Sequence, residues 1–517
     1  MKNILIAIRS IFKKGRHNVM KIVSLGIGLA VGLVLIAKVY FEQSYDDFYP
    51  DRDRVYQVWA KYQQNGGELK DYPQTSGGIA PTMQQQIPEI ETVTRYTSFG
   101  DWTFTMTDTK MKYSGRCIIA DSCFFDILPR PMLIGNAKEV LSIPMYVLVS
   151  SRIAKNIGGD VIGKNFTVDS SPGRTMTIGG VFEEVPENSH SRYDVIVSMA
   201  SAGRFMWEGS PTNMLGNDRY ISYVKLHKGV NPLALEEQVH TFVNSYFPPE
   251  EQQKTGFNIG FSFHELDGLH KELPQVKRMT WILSLLAFAL IFTAVMNYIL
   301  IVISSIVNRS KEVAVHKCYG ASENNIHGMM FGEALVHIVL SLILALLLIL
   351  AFRGTVEELL ATSLDSLLLS NGSLVLLGIC ILVFFVSGFM PGSLYARIPV
   401  ASAFRNYREN KRIWKKALLL VQFVATGFLV TMLVFVARQY TFMVNDRPGY
   451  AYENLAYCGL AGVDSTSRAK ILDEVMRLPG VVAATTVYQL PFEHASGNNI
   501  LLPGETQELF NIADLYW

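Results

Sequence analysis

Four stretches of this chain hold residue types able to do chemistry. Residues 158–165 read Gly158-Gly159-Asp160-Val161-Ile162-Gly163-Lys164-Asn165, one residue short of the GxxxxGK[ST] loop whose glycines, lysine and hydroxyl serve phosphates and magnesium. Asn165 stands where the hydroxyl is needed and no buried apolar strand runs straight into the loop, so the stretch reads as a turn between a helix and a strand at 166–168. His264, Glu265, Asp267 and His270 cluster, but their spacing fits neither HExxH nor a cysteine–histidine zinc pattern, and they read as solvated stalk residues. Pro186, Glu187, Asn188, Ser189 and His190 have the composition of a turn, with Asn and Ser bonding to backbone. The five cysteines form no framework, and a Cys117–Cys123 bridge is left open. No nucleophile elbow or paired-carboxylate spacing is present. No catalytic residue, cofactor or metal is therefore expected, and an energised role would need an ATPase outside this chain.

The fourth stretch, 309–333, is charged and helical, and it lies between two long apolar runs. Arg309, Lys311, Glu312, His316 and Lys317 supply charge, while Val315, Cys318 and Tyr319 fall at i, i+3 and i+4 on one stripe. Gly320 is suited to the left-handed conformation that ends many helices, and Ser322 followed by Glu323 restarts a helix with a cap and a favourable first-turn charge. A helix–turn–helix of this kind lies along a membrane surface and reads as a lever for a partner.

The elements that would position it are membrane spans. Hydrophobic residues make up 49% of the 517, charged residues only 18%, and the mean hydropathy is positive. The apolar residues gather in five runs, at 20–41, 279–307, 330–352, 373–395 and 417–436, each near the ~20 residues a helix needs to cross ~30 Å of hydrocarbon. Basic residues orient them. Lys2, Arg9, Lys13, Lys14, Arg16 and Lys21 precede the first run with no acidic residue before Glu42, and Arg397, Arg405, Arg408, Lys411, Arg412, Lys415 and Lys416 precede the last. Both segments are expected in the cytoplasm. The loop 353–372, with Glu357, Glu358 and Asp365 against one arginine, belongs on the other side. Alternation puts 42–278 outside, the 309–333 loop inside, and Cys117, Cys123 and Cys458 on the oxidising side. The first run is too long for a signal peptide and lacks a small-x-small cleavage site, so it is read as an anchor continuing past a snorkelling Lys38 into a stalk. A net charge of +1 gives no basic bias towards nucleic acid.

Residues 42–278 have soluble composition and enough length for a core. Alternation at 54–59 and 176–182 predicts strands, and 80–88 and 231–243 read as helices opened by residues suited to a first turn. The fold class is thus a polytopic α-helical membrane protein of about five spans with a large α+β domain outside the membrane. Within the spans, Gly28 with Gly32 and Gly388 with Gly392 form GxxxG steps that let helices approach closely, for packing within the chain or for dimerisation. His337 and Asn297 are intramembrane polar groups expected to bond between helices.

The 309–333 run resembles the coupling loop of MacB/FtsX-type ABC transporter permeases, matching at Arg309, Lys311, Glu312, Val313, Val315, Lys317, Gly320, Ala321, Ile326, Phe331 and Glu333, and departing at His316, where that family usually has arginine. The strings DSCFFDILPRPMLIGNAKEVL, YVLVSSRIAKNIGGDVIGKNFTV and IGGVFEEVPENSHSRYDVIVSM look like successive blocks of a MacB-like periplasmic core domain of the long, duplicated form. The resemblance implies 1–41 as basic N-terminus and first span, 42–278 as core domain, and 279–396 as FtsX-like permease domain with coupling loop 308–328. It further implies 397–440 as basic linker and fifth span, and 441–517 as an incomplete second core domain, 471–490 echoing the start of the first. On the duplicated pattern a second set of three spans is expected after 517, so the chain reads as truncated. The resemblance also implies a bacterial inner-membrane permease without its own nucleotide site and a cytoplasmic ABC ATPase as partner. Also implied are a dimer with itself or a related permease, a possible periplasmic adaptor or outer-membrane factor, and export of a peptide, lipoprotein, antibiotic or lipid. The alternative is an FtsX-like tethered regulator of a periplasmic protein.

Overall fold

The computed structural model describes residues 17–64, 67–169, 173–216, 218–396, 399–400, 413–445, 454–460, 463, 465–487, 496–500 and 508–512. The basic residues of 1–16 and 401–412, Arg397, part of the 471–490 stretch and the side chain of Arg309 lie outside them. Among the described residues five helices are long and apolar enough to cross a membrane: span 1 (Asn18–Gln43), span 2 (Pro274–Ser304), span 3 (Glu323–Ala351), span 4 (Ser373–Ala396) and span 5 (Ile413–Asn445).

Span 1 is the centre of the bundle, lying between spans 2 and 3. Its Leu25, Leu29, Leu33 and Ala37 recur every fourth residue and are buried, whereas Val19, Val23, Ile27 and Val31 form an exposed stripe. Because lipid is as apolar as leucine, tight packing rather than water exclusion must join such helices. The glycines supply it. A Cβ at Gly28 would lie 2.2 Å from Ala294 Cβ of span 2, one at Gly32 would lie 2.4 Å from Ile291, and one at Gly26 would lie 2.9 Å from Leu344 of span 3. On span 4, a Cβ at Gly388 would lie 2.6 Å from Phe331 and one at Gly392 2.8 Å from His327, both of span 3. These close approaches are all within one chain. His337, fully buried in span 3, bonds Tyr298 of span 2 at 3.2 Å, the expected interhelical bond. Span 5 packs only lightly, against span 2.

Between spans 1 and 2 the chain builds a head domain. Its strands are β1 (Val55–Gln64), β2 (Lys70–Tyr72), β3 (Ile90–Met106), β4 (Lys112–Ala120), β5 (Met132–Ile134), β6 (Tyr146–Ser150), β7 (Asn165–Val168), β8 (Thr175–Phe182), β9 (Val195–Ser198), β10 (Ile221–Leu226) and β11 (Phe257–Glu265). They form one sheet in the order β11-β1-β10-β3-β4-β9-β6-β8-β5, with β2 on β1 and β7 bridging β3 and β8. All pairs are antiparallel except β4–β9 and β6–β8. Apolar clusters cover the sheet, one around Phe104, Phe166 and Ile178, another around Tyr96, Phe124 and Phe182, and a third around Val58, Met83 and Phe242. The helices expected at 80–88 and 231–243 are Ile79–Gln86 and a 3-10 turn at Pro232–Leu235 running into Glu236–Tyr246, with Asn231 capping Leu233. Beyond span 5 come a helix, Ser465–Met476, and an antiparallel pair, Ser496–Ile500 with Glu508–Ile512.

Candidate functional site

The loop between spans 2 and 3 is a hairpin. After Ser305 a helix runs Ile306–Cys318, and Gly320 follows at φ +87°. Gly320 N donates to Lys317 O at 3.0 Å and Ala321 N to His316 O at 3.0 Å. This pair of bonds satisfies carbonyls that the helix end would orphan and demands a left-handed residue at 320, which only glycine takes cheaply. Ser322 then caps span 3 by accepting from Asn325 N.

The buried face of this helix is not the stripe of Val315, Cys318 and Tyr319. Val313 and Ala314 are each 1% exposed and Ser310 is buried, packed into the bundle core, whereas Val315 (43% exposed), Cys318 and Tyr319 (89% exposed) point away. Both stripes are apolar, and packing chose the one whose small Ser310 and Ala314 fit beneath the bundle. Lys311 and His316 are exposed, Glu312, Lys317 and Ala321 half-buried. The hairpin is held from above, where Tyr395 of span 4 donates to Val302 O at 3.1 Å and meets Ser305 Oγ at 3.1 Å. Nearly three turns into span 3, Glu333 faces fully buried Lys21 of span 1 at 3.6 Å, and Lys21 also donates to Asn18 at 3.3 Å.

At the head end of span 1 a second polar assembly was missed from sequence. Lys38 does not snorkel: it is buried, pairs with Glu42 at 2.7 Å and donates to Thr362 Oγ1 at 2.8 Å in the connector between spans 3 and 4. The helix ends at Gln43. Glu42 also bonds His270, whose ring stacks on Tyr45 with centroids 3.8 Å apart. His264 stacks on Trp59 and Asp267 pairs with Arg52 and Lys271, so of the expected solvated cluster His264, Asp267 and His270 are instead half-buried packing at the foot of the head, and Glu265 alone of the four is exposed. The turn at Glu187–Ser191 closes the assembly. Asn188 Nδ2 donates to Ser44 O at 2.6 Å, Ser189 Oγ to Asp46 Oδ1 at 2.6 Å, the His190 ring bonds the Asp46 carboxylate, and Ser363 N donates to Glu187 Oε2 at 3.0 Å. A cavity of about 190 Å³ sits among Lys38, Tyr45, Arg192 and Thr362. A lysine four residues before a glutamate at the end of an apolar run was the one available sequence signal.

The remaining candidates are structural. Lys164 Nζ donates to Gly158 O at 3.2 Å, closing the phosphate-loop look-alike into a turn between the helix Ser151–Ile157 and β7. Cys117 and Cys123 are separate free thiols, and complete burial pushes Cys117 well above the usual thiol range. Arg130 is buried in a cage of Phe124, Phe125, Phe182 and Tyr193 rings, 5.1–6.0 Å from their centroids. Among the described residues no group of three or more His, Cys, Asp or Glu is placed to hold a metal.

Residues 20–242 match the MacB-like periplasmic core domain, and residues 284–400 match the FtsX-like permease C-terminal domain. The chain belongs to the MacB/FtsX-type ABC transporter permeases. The core-domain match takes in span 1 and most of the head, the FtsX-like match takes in spans 2–4 with their hairpin, and the role of such a chain is that of a membrane permease subunit in an ABC system. A domain of a permease protein from Porphyromonas gingivalis is 32% identical over 42% of this chain and 91% of its own length, with TM-score 0.39. The periplasmic region of MacB from Actinobacillus actinomycetemcomitans is 16% identical over 40% and 87%, with TM-score 0.28. The extracellular domain of the ABC-type transporter YknZ from Gram-positive bacteria is 10% identical over 40% and 98%, with TM-score 0.28. No curated protein matches the chain.

Proposed function

We propose that this permease is a mechanical transmitter: a separate cytoplasmic ABC ATPase seats on the hairpin, and its nucleotide-driven motion passes through the spans to the head. The reading places the hairpin in the cytoplasm and the head outside, as the basic residues before spans 1 and 5 favour. Output at the head would be expulsion of a peptide, lipoprotein, antibiotic or lipid, with a dimer partner and a periplasmic adaptor or outer-membrane factor completing the path.

The observation that supports it most is the two-faced hairpin helix. One face, Ser310, Val313 and Ala314, is locked into the bundle, while the opposite face offers Val315 and Tyr319 to solvent beside Lys311 and His316. Large exposed apolar groups ringed by charge mark protein contacts, and a helix held from above moves the spans when pushed from below. Glu312 and Lys317 are assigned to charge pairing with the ATPase groove, and Gly320 to setting the angle of the lever. Arg309 and Ala321 complete the contact.

The test is co-purification of the detergent-solubilised chain with its candidate ATPase, comparing wild type with Glu312→Lys and Gly320→Pro. Proline has neither the positive φ nor the N–H that Gly320 uses. Loss of the ATPase from both folded variants is expected; retention by both would sink the lever and favour a tethered regulator of another external protein.

A further inference from the structure

The polar assembly at the head end of span 1 ties together four stretches far apart in sequence: 38–46 of span 1 and its exit, 187–191 of the head, His270 before span 2, and 361–363 of the connector between spans 3 and 4. The bonds form a closed ring. Span 1 reaches the connector through Lys38 and Thr362, the connector reaches the head turn through Ser363 and Glu187, and the turn returns to span 1 through Asn188, Ser189 and His190 on Ser44 and Asp46. Three of its charged members are buried, Asp46 fully and Lys38 and Glu42 nearly so, while Glu187 is half-buried.

Burying three charges carries a desolvation cost that well-packed apolar side chains would avoid, so the ring is a poor device for stability alone. Two of its residues also sit in strained backbone. Asp46 has φ +57° and Ala361 has φ +48°, left-handed values that carry a steric cost for a residue with a Cβ. Such strain persists only where surrounding contacts over-determine it, and here the ring bonds flank both residues.

We infer that this ring is a joint: Lys38, Glu42, Asp46, His190, His270 and Thr362 are positioning residues that lock span 1, the connector and the head into one body, so that displacement of the spans is delivered to the head. The inference rests on the transmitter reading for its purpose, but the lock itself can be measured without any ATPase. A joint at this end matches the other end of the same helix, where Lys21 meets Glu333 beside the hairpin. Span 1 is fastened by a buried lysine at each end and acts as a strut.

The test uses the full-length chain in nanodiscs with its native cysteines replaced by alanine and spin labels on Lys138→Cys of the head and Leu359→Cys of the connector, both well exposed. Electron–electron resonance reads the label separation. Lys38→Met/Glu42→Gln removes both charges of the pair together, so that neither is left facing an empty partner, and Thr362→Val removes the hydroxyl through which Lys38 reaches the connector. At least a twofold broader distance distribution is expected in the double variant and a smaller broadening in Thr362→Val; distributions as narrow as wild type in both would overturn the joint. With the candidate ATPase and a non-hydrolysable ATP analogue added, hydrogen exchange at residues 187–198 is expected to change in wild type. The change should vanish in Lys38→Met/Glu42→Gln although the ATPase still binds, an effect that a purely structural role would not produce. An unchanged response would show that motion bypasses the joint. An ATPase that binds no form of the chain would overturn the transmitter reading and leave the label widths to decide the lock.

Discussion

Replacing Gly28 by alanine tests the closest approach in the membrane. The added methyl would lie 2.2 Å from Ala294 Cβ, where carbon atoms prefer about 3.5–4.0 Å. Spans 1 and 2 must therefore part by roughly 1.5 Å at that level or slide. Gly32 packs on Ile291 one turn further along the same face, so it would be pried open too. A gap of even ~1 Å forfeits up to about half of each dispersion well, and overpacking of this kind costs about 1–3 kcal/mol. Taking ~2 kcal/mol, the unfolding equilibrium should shift by about 30-fold. The assay is reversible unfolding of spans 1–4 in the full chain, by steric trapping or detergent titration. Gly28→Ala/Ala294→Gly moves the methyl to the other helix and should recover about 1 kcal/mol or more of the loss, a coupling typical of residues in contact. A single variant within about 0.5 kcal/mol of wild type, or a double variant no better than Gly28→Ala, would refute the close packing.

Three further outcomes are expected. Glu333→Ala strips the carboxylate from buried Lys21 and should destabilise the bundle by about 3–5 kcal/mol, whereas Lys21→Met/Glu333→Met should recover most of this in the same unfolding assay. A membrane-impermeant maleimide applied to intact cells should modify exposed Cys458 but reach exposed Cys318 only after permeabilisation, leaving buried Cys117 unmodified; the reverse order would invert the proposed orientation. Hydrogen bonds from Lys225 and then Arg54 hold the Asp51 carboxyl below the ordinary carboxylate range. Its stabilising effect is present in full above the unfolded value near pH 4 and is lost as pH falls through the lower folded value. Melting of Asp51→Asn between pH 6 and pH 2.5 should accordingly fall less steeply than that of wild type.

The spans were legible because twenty apolar residues in a row admit few other structures, and the hairpin cap because glycine takes the backbone that Gly320 adopts at the least cost. Burial on the hairpin helix was not legible in the sequence, for a definite reason. Its stripes at 310, 313 and 314 and at 315, 318 and 319 are both apolar or small, and which one meets the bundle depends on partners more than 60 residues away, such as Tyr395. Lys38 was misread for the opposite reason. A lysine near a helix end ordinarily reaches water, and nothing local announces that Thr362 and Glu42 will enclose it. The joint was out of reach in principle, since its four stretches meet only after the head and bundle have folded.

The order in which the spans are made gives the strut a history. Span 1 is complete at Gln43, yet span 2 begins only at Pro274 and Glu333 comes later still. At ribosomal rates of about 5–20 residues per second, the first helix spends roughly 10–50 s in the bilayer before its neighbours arrive. During that interval Gly26, Gly28 and Gly32 face lipid instead of Leu344, Ala294 and Ile291, and Lys21 lacks the Glu333 carboxylate. The helix that ends as the best-packed of the five therefore waits longest for the neighbours that pack its glycines and face its Lys21. Errors of assembly should accordingly appear first as loss of full-length protein, before any loss of transmission.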